Sequence, residues 1–298
     1  MSETRKSKVW FITGCSTGFG RLLSEAALKQ GDQVFLTSRK VKDIEDLVKE
    51  YPKLAHSAHL DVTDNASIKN ALKIALKSFG RIDVLVNNAG FGFAGAFEEM
   101  TDKQIRKEFD TNFFGVLNVT RAILPTLRKQ KSGHILNFSS IVGRMSFPTM
   151  GTYCSSKYAI EGFSEALAAE LKSFGIKLTM IEPGAYNTDF AHRSLATAKP
   201  RPEYKALHEE MDKFNTDNEN GDLFSAIQAM VAVVELSDPP LRMPLGFGTL
   251  PRIVQKLSSD IEAYNKIKSL WETTNSAETP PTKKLVKKAD PGAYKRSA

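Results

Sequence analysis

The chain has only two cysteines and five histidines, and no apolar run uninterrupted over the length of a membrane span. Cys15 and Cys154 cannot build a disulfide framework and do not form a Cys-x-x-Cys pair, so they read as small apolar packing residues. The histidines show no His-Glu-x-x-His spacing and no Cys/His cluster, which argues against a metal centre. The longest apolar stretch, near Phe224 to Leu236, is broken by Ser225, Gln228 and Glu235, so no membrane partner is expected. The polar start, Met1 to Lys8, precedes an apolar run too short for a signal sequence. A reduced, cytoplasmic setting is the resulting expectation.

A 41% hydrophobic share with 25% charged residues is ordinary for a globular chain of 298 residues, and supplies ample material for a core. The net charge of +7 comes largely from the ends: residues 272–298 carry six basic and three acidic side chains, and residues 1–8 three against one. The tails therefore supply +5 of the +7. Basic tails around a nearly balanced body give no reason to expect a nucleic-acid partner.

Short β-rich runs alternate with longer helical patterns and no internal repeat is present. The runs are Val9–Thr13, Gln33–Thr37, Ser57–Leu60, Val84–Asn87, His134–Phe138, Lys177–Ile181 and, weakly, Met243–Phe247. Several are apolar nearly throughout, as strands covered on both faces are. Helical patterns at Gly18–Gln30, Asp64–Phe79 and Thr152–Phe174 each stop at a glycine. The expected fold is α/β: a Rossmann-like doubly wound parallel sheet of seven strands with helices on both faces, forming one domain over residues 8–271. Residues 189–221 interrupt the rhythm after a strand end, where open sheets bind ligands, and read as a substrate lid. From Glu272 the composition turns to Thr, Pro, Ser, Lys and Ala, the pattern of a disordered basic tail.

The segment Thr13 to Gly20 follows the first strand and holds Gly14, Gly18 and Gly20, with Ser16, Thr17 and Phe19 between them. Glycines before a helix N-terminus let a pyrophosphate approach free amides and the positive end of the helix dipole. The G-x-x-x-G-x-G spacing alone is weak evidence. The second strand lacks the Asp or Glu that normally binds a ribose 2′-hydroxyl; it ends Thr37-Ser38-Arg39-Lys40, and the first acid is Asp43. A guanidinium at Arg39 can grip a 2′-phosphate and stack on adenine. NADP(H) is therefore expected over NAD(H).

Ser140 stands at the end of the fifth strand, thirteen residues before Tyr153, and Lys157 follows four residues later. Tyrosine and lysine at that spacing project from one helix face. A nearby ammonium favours the phenolate, so the spacing predicts a phenol acidified toward working pH for general acid–base chemistry. Ser140 can hold the reacting oxygen. Tyr264 and Lys268 repeat the spacing without a preceding strand and serine, and read as structural.

With Asp61-Val62, Asn87-Asn88-Ala89-Gly90, Asn112 and Pro183-Gly184 with Thr188, these motifs resemble the short-chain dehydrogenase/reductase family, in its tetrad-bearing branch similar to the 17β-hydroxysteroid and retinol dehydrogenases. The resemblance implies a catalytic set of Asn112, Ser140, Tyr153 and Lys157. It implies that Asp61 and Val62 bind the adenine, that Asn88, Ala89 and Gly90 floor the cofactor site, and that Asn112 holds a water relaying protons to Lys157. Lys157 would also bind the nicotinamide ribose, and Pro183, Gly184, Tyr186 and Thr188 would position the nicotinamide. Tyr186 replaces a smaller apolar residue common there. The resemblance further implies a homodimer or homotetramer.

Phe91, Phe93, Phe97, Met145, Phe147 and Met150 flank the motifs and can line an apolar cleft. Together these features predict hydride transfer between NADP(H) and a moderately hydrophobic ketone, aldehyde or alcohol. The alternatives are an NADP(H)-binding regulatory protein without turnover, and an enzyme of elimination or epimerisation.

Overall fold

In the computed structural model, residues 5–187, 194–216 and 220–268 are described. The apolar runs become a parallel sheet because each alternates between two buried faces. Trp10 and Ile12 of β1 (Val9–Ile12), Val34 and Leu36 of β2 (Gln33–Ser38), and Val84 and Val86 of β4 (Val84–Asn87) enter one core. Phe11, Phe35 and Leu85, the residues between them, enter the other, where Phe11 and Phe35 stack at 5.4 Å. The first core is closed by α1 (Gly18–Lys29), α2 (Glu45–Glu50) and α8 (Leu223–Val233), the second by α3 (Asn65–Phe79), α5 (Gly115–Gln130) and α6 (Gly151–Leu171).

With β3 (Ala55–His59), β6 (Gly133–Phe138), β7 (Ile176–Pro183) and β9 (Arg242–Leu245), the sheet runs β3-β2-β1-β4-β6-β7-β9, every pair parallel. The order reverses between β1 and β4, so a crevice opens beyond the carboxyl ends of these strands. Helix ends match their sequence signals: Asp64 accepts from Ala66 N at 2.8 Å to cap α3, and Gly80 closes it with φ 76°.

Two features have no counterpart in the expected pattern. A three-residue strand, β5 (Gly92–Ala94), pairs in parallel with β8 (Leu195–Thr197) as a separate small sheet. Between α4 (Asp102–Phe109) and α5, residues Asp110–Phe114 form a π-helical turn rather than continuing one helix. The segment expected as a lid contributes β8 and α7 (Lys205–Thr216); its residues 189–193 and 217–219 lie outside the described residues, as does the tail at 272–298. The chain divides into two compact units, Met1–Leu250 and Pro251–Ala298, and α9 (Thr249–Lys266) supplies the described part of the second.

A buried polar chain ties the layers under the crevice. Asn87 Nδ2 donates to Thr120 Oγ1 at 3.0 Å and Asn137 Oδ1 at 2.8 Å, and Asn137 Nδ2 donates to Ser164 Oγ at 2.9 Å. Asn137 is fully buried and joins β4, β6 and α6. Replacing it with alanine orphans groups on two partners, and each buried orphan costs about 1–3 kcal/mol. Asn137→Ala is expected to lower the urea midpoint accordingly, whereas alanine at the exposed Lys69 leaves it unchanged.

Candidate functional site

The glycine loop is built from the end of β1 upward. Thr13 Oγ1 donates to Val86 O at 3.2 Å and accepts from Asn88 N and Ala89 N, each at 3.0 Å. Asn88 Nδ2 donates to the carbonyls of Thr13 and Gly14, both at 2.9 Å. The loop is thereby clasped to the end of β4. A Cβ on Gly20 would stand 2.3 Å from that Asn88 amide and 2.4 Å from Gly14 O, so only glycine fits. Gly18 opens α1 at φ +58° with no atom near the position a Cβ would take. This leaves a free cradle beside first-turn amides that lack intrahelical acceptors, a surface that fits a pyrophosphate. Ser16 and Thr17 lie half-buried in the loop. Phe19 packs on Phe138 at 5.6 Å and edge-on to Tyr186 at 5.1 Å.

At the neighbouring strand ends, Ser38 is buried and its Oγ accepts from Lys40 N at 3.1 Å, while Arg39 is exposed. Asp61 Oδ1 accepts from Thr63 N at 2.9 Å and Thr63 Oγ1 at 2.7 Å. Burial opposes its ionisation, but these bonds and the charge of Arg39 hold its carboxyl below the usual range. Val62 is buried against the start of α5, where a Cβ on Gly115 would come within 2.6 Å of it. Gly90 backs on Asn112, with Oδ1 3.1 Å from a Cβ position.

Asn112 sits in the π-helical turn, 1% exposed. Its amide donates to Phe91 O at 2.7 Å and Ser156 Oγ at 3.2 Å, and its Oδ1 accepts from Phe91 N at 3.0 Å. It thereby bridges the segment after β4 to the tyrosine–lysine helix. Ser140, in extended backbone just after β6, donates to Pro183 O at 3.3 Å and accepts from Val142 N at 3.3 Å, and it favours the ionised form of the Tyr153 phenol. Tyr153 and Lys157 are 7% and 6% exposed, with Nζ 5.7 Å from the Tyr153 ring centroid. Lys157 Nζ donates to Phe138 O at 2.8 Å. The structure therefore brings Asn112, Ser140, Tyr153 and Lys157 together at the carboxyl ends of the strands, beside the glycine loop.

The electrostatics correct one expectation. Burial dominates both groups: it pushes the Tyr153 phenol above its ordinary value and lowers Lys157 to about 8. Glu108 adds to the rise at Tyr153, whereas Ser140 opposes it. An ammonium bonded to a backbone carbonyl does not by itself acidify the ring it underlies.

Pro183 ends β7 and Gly184 follows it, its N donating to Leu245 O at 2.8 Å. Thr249 Oγ1 stands 2.2 Å from the Cβ position of Gly184, so no side chain fits there. The Tyr186 ring lies against Gly221 and Gly246, whose Cβ positions fall 2.6 and 3.0 Å from it. Its hydroxyl is pushed up to about 12 by burial. Thr188 lies outside the described residues.

Of the aromatic residues expected at the cleft, Phe93 is buried edge-on to Phe91 at 5.4 Å, whereas Phe97 is 79% exposed. Cys15 and Cys154 are buried free thiols, and burial raises Cys15 to about 11, consistent with packing residues. Tyr264 is exposed on α9, in the second unit.

Two acids near the site escaped the sequence reading. Glu108, fully buried on α4, accepts from Phe93 N at 2.8 Å on one oxygen, while its Oε2 is buried without a hydrogen-bond partner. Glu99 accepts from Ala96 N and Arg201 N, both at 2.7 Å, and from His208 Nε2 at 2.9 Å, which holds α7 to the segment after β5. A carboxylate in a polar helix or loop carries no local signal of such burial. Among the described residues there is no cluster able to hold a metal and no helix long and apolar enough to cross a membrane.

Comparison with known proteins agrees with this fold. The chain is 39% identical to an oxidoreductase of Botryotinia fuckeliana over 91% of this chain and 99% of that protein. It is 33% identical to human retinol dehydrogenase 8, over 78% of this chain and 79% of the relative. A solved short-chain dehydrogenase from Streptomyces avermitilis superposes with a TM-score of 0.85 at 36% identity, covering 92% of this chain and all of that one. An alcohol dehydrogenase from Thermococcus sibiricus, complexed with 5-hydroxy-NADP, gives 0.68 at 25% identity, over 81% and 97%. The family model described as short chain dehydrogenase matches residues 8–199, from the first strand through the glycine loop, serine, tyrosine and lysine, and the chain belongs to that oxidoreductase family.

Proposed function

We propose that the protein is an NADP(H)-dependent reductase of ketones or aldehydes, reversible as an alcohol dehydrogenase. The observation carrying this reading is the convergence of buried Tyr153 and Lys157, with Nζ 5.7 Å from the ring centroid, on Ser140 beside the loop cradle. Bound there, the nicotinamide cofactor supplies or accepts hydride. The residues then divide the remaining work. Gly14, Ser16, Thr17, Gly18, Phe19 and Gly20 hold the pyrophosphate, and Asn88, Ala89 and Gly90 floor the site. Asp61 and Val62 take the adenine, with Ser38 and Arg39 at its ribose. Pro183, Gly184, Tyr186 and Thr188 flank the nicotinamide. Ser140 fixes the substrate oxygen and Tyr153 passes its proton to it. Lys157 steadies the ribose, and Asn112 maintains the path for proton return.

The buried phenol is held protonated, which suits it to donate in the direction of reduction. In this reading the insertion bearing β8 and α7 covers the substrate, and the half-buried Phe91, Met145, Phe147 and Met150 favour a moderately hydrophobic one. The full tetrad favours turnover over a cofactor-binding regulator.

Tyr153→Phe is expected to keep the NADPH dissociation constant within about threefold and to lower kcat on a responsive ketone by about 10²–10⁴. A single-turnover rate near wild type would remove Tyr153 from the chemistry. Arg39→Ala is expected to weaken NADPH by about 10- to 150-fold, matching about 1.5–3 kcal/mol for a charge-assisted contact, with NADH little changed. Fluorescence titration of both cofactors checks this, and equal losses would reassign the 2′-phosphate contact.

A further inference from the structure

Behind the tyrosine–lysine pair, three carboxyls meet two guanidiniums. Glu161 and Glu165 belong to α6, Glu182 to the end of β7, Arg242 to β9, and Arg144 to the segment that follows Ser140. Glu161 and Glu182 are 5% and 1% exposed. Arg242 Nε lies 2.9 Å from Glu161 Oε2 and 3.7 Å from Glu182 Oε1, and Arg144 reaches the same two residues at 3.7 and 3.9 Å. Glu165 takes the other arm of Arg242 at the surface. Each guanidinium is thus shared between the two buried acids, and neither acid has a guanidinium of its own. Oε1 of Glu161 and Oε1 of Glu182 are both buried without a hydrogen-bond donor, and the neighbouring Ser139 hydroxyl is buried without a partner of either kind.

Two buried carboxylates gathered around the same guanidiniums repel each other under low dielectric, and one proton between them relieves that repulsion and supplies the missing donor. The position is consequential. Lys157 lies one helical turn before Glu161, whose charge favours the ammonium. Glu182 precedes Pro183, the acceptor that orients Ser140.

We infer that Glu161 and Glu182 share a single proton, and that this proton is a positioning device. It holds the end of β7, with Pro183 and Gly184, against α6, and so keeps Ser140 in register with Tyr153 and Lys157. Loss of the proton restores the repulsion and loosens that seam. Burial and the neighbouring Glu161 raise Glu182 to about 7. The folded value stands above the ordinary carboxyl value, so the stabilisation is present at low pH and is lost as pH rises through about 7.

The test compares wild type with Glu182→Gln and Glu161→Gln, each of which supplies a permanent donor to its partner. Thermal midpoints are read from pH 6 to 8.5. Relative to either variant, wild type is expected to lose about 2–4 °C across that range. Using both variants keeps the thermal arm informative if one of them fails to fold.

The kinetic arm rests on the reductase reading above, whereas the thermal arm needs no turnover, so the two can fail separately. The ratio of kcat/KM in Glu182→Gln to that of wild type is expected near one at pH 6 and at least about threefold at pH 8.5, with NADPH affinity unchanged. Parallel midpoint curves for all three proteins would overturn the shared proton. Diverging curves with a pH-independent kcat/KM ratio would overturn the positioning role.

Discussion

The site depends on a lysine ammonium removed from water and answered by a backbone carbonyl. Lys157 donates to Phe138 O, the carbonyl that ends β6. Removing a cation from water is costly unless donors and charges compensate it. Here the strand end supplies the acceptor, while Glu108 and Glu161 supply negative charge from α4 and from the lysine's own helix. The parallel sheet matters because it places several strand ends at one edge. The end of β6 holds the lysine, that of β7 holds Ser140 through Pro183, and those of β1 and β4 hold the glycine loop.

The same burial acts on the phenol. A tyrosine without water around it resists ionisation, and the site makes it more so through Glu108. Under the function proposed above, the neutral phenol is therefore suited to donate a proton. A positively charged ring docked nearby would shift the balance toward the phenolate, since an opposite charge favours the ionised form. The protein alone prepares the acid, and the oxidation state of what is bound selects the direction.

Much of this was legible in the residues because it is local. The alternating apolar faces of β1, β2 and β4 are period-two patterns, and Gly14, Gly18 and Gly20 are needed for positive φ or close approach. The four-residue offset of Tyr153 and Lys157 is a property of any helix. What could not be read depends on residues distant in the chain. The β5–β8 pair is three residues long and joins segments about a hundred residues apart, too short for any periodicity to register. Glu108, Glu161 and Glu182 look like solvated acids until the fold encloses them. The effect of Lys157 on the phenol was misjudged because adjacency on a helix face says nothing of burial or of the carbonyl that occupies the ammonium. Arg39 and the tetrad motifs were legible as residue types, and their roles rest on the function proposed above.

The turn at Asp110–Phe114 has a consequence for how this chain can vary. A π-helical turn holds one residue more than a regular turn, and that extra residue lets Asn112 reach Phe91 on one side and Ser156 on the other. Removing a single residue from it would close the wide turn to regular helix, and the displaced position that Asn112 occupies would be lost. Asn112 would then lose its reach to Phe91 and Ser156. Length at this point is thus as constrained as identity, and the segment tolerates exchange of side chains far better than deletion.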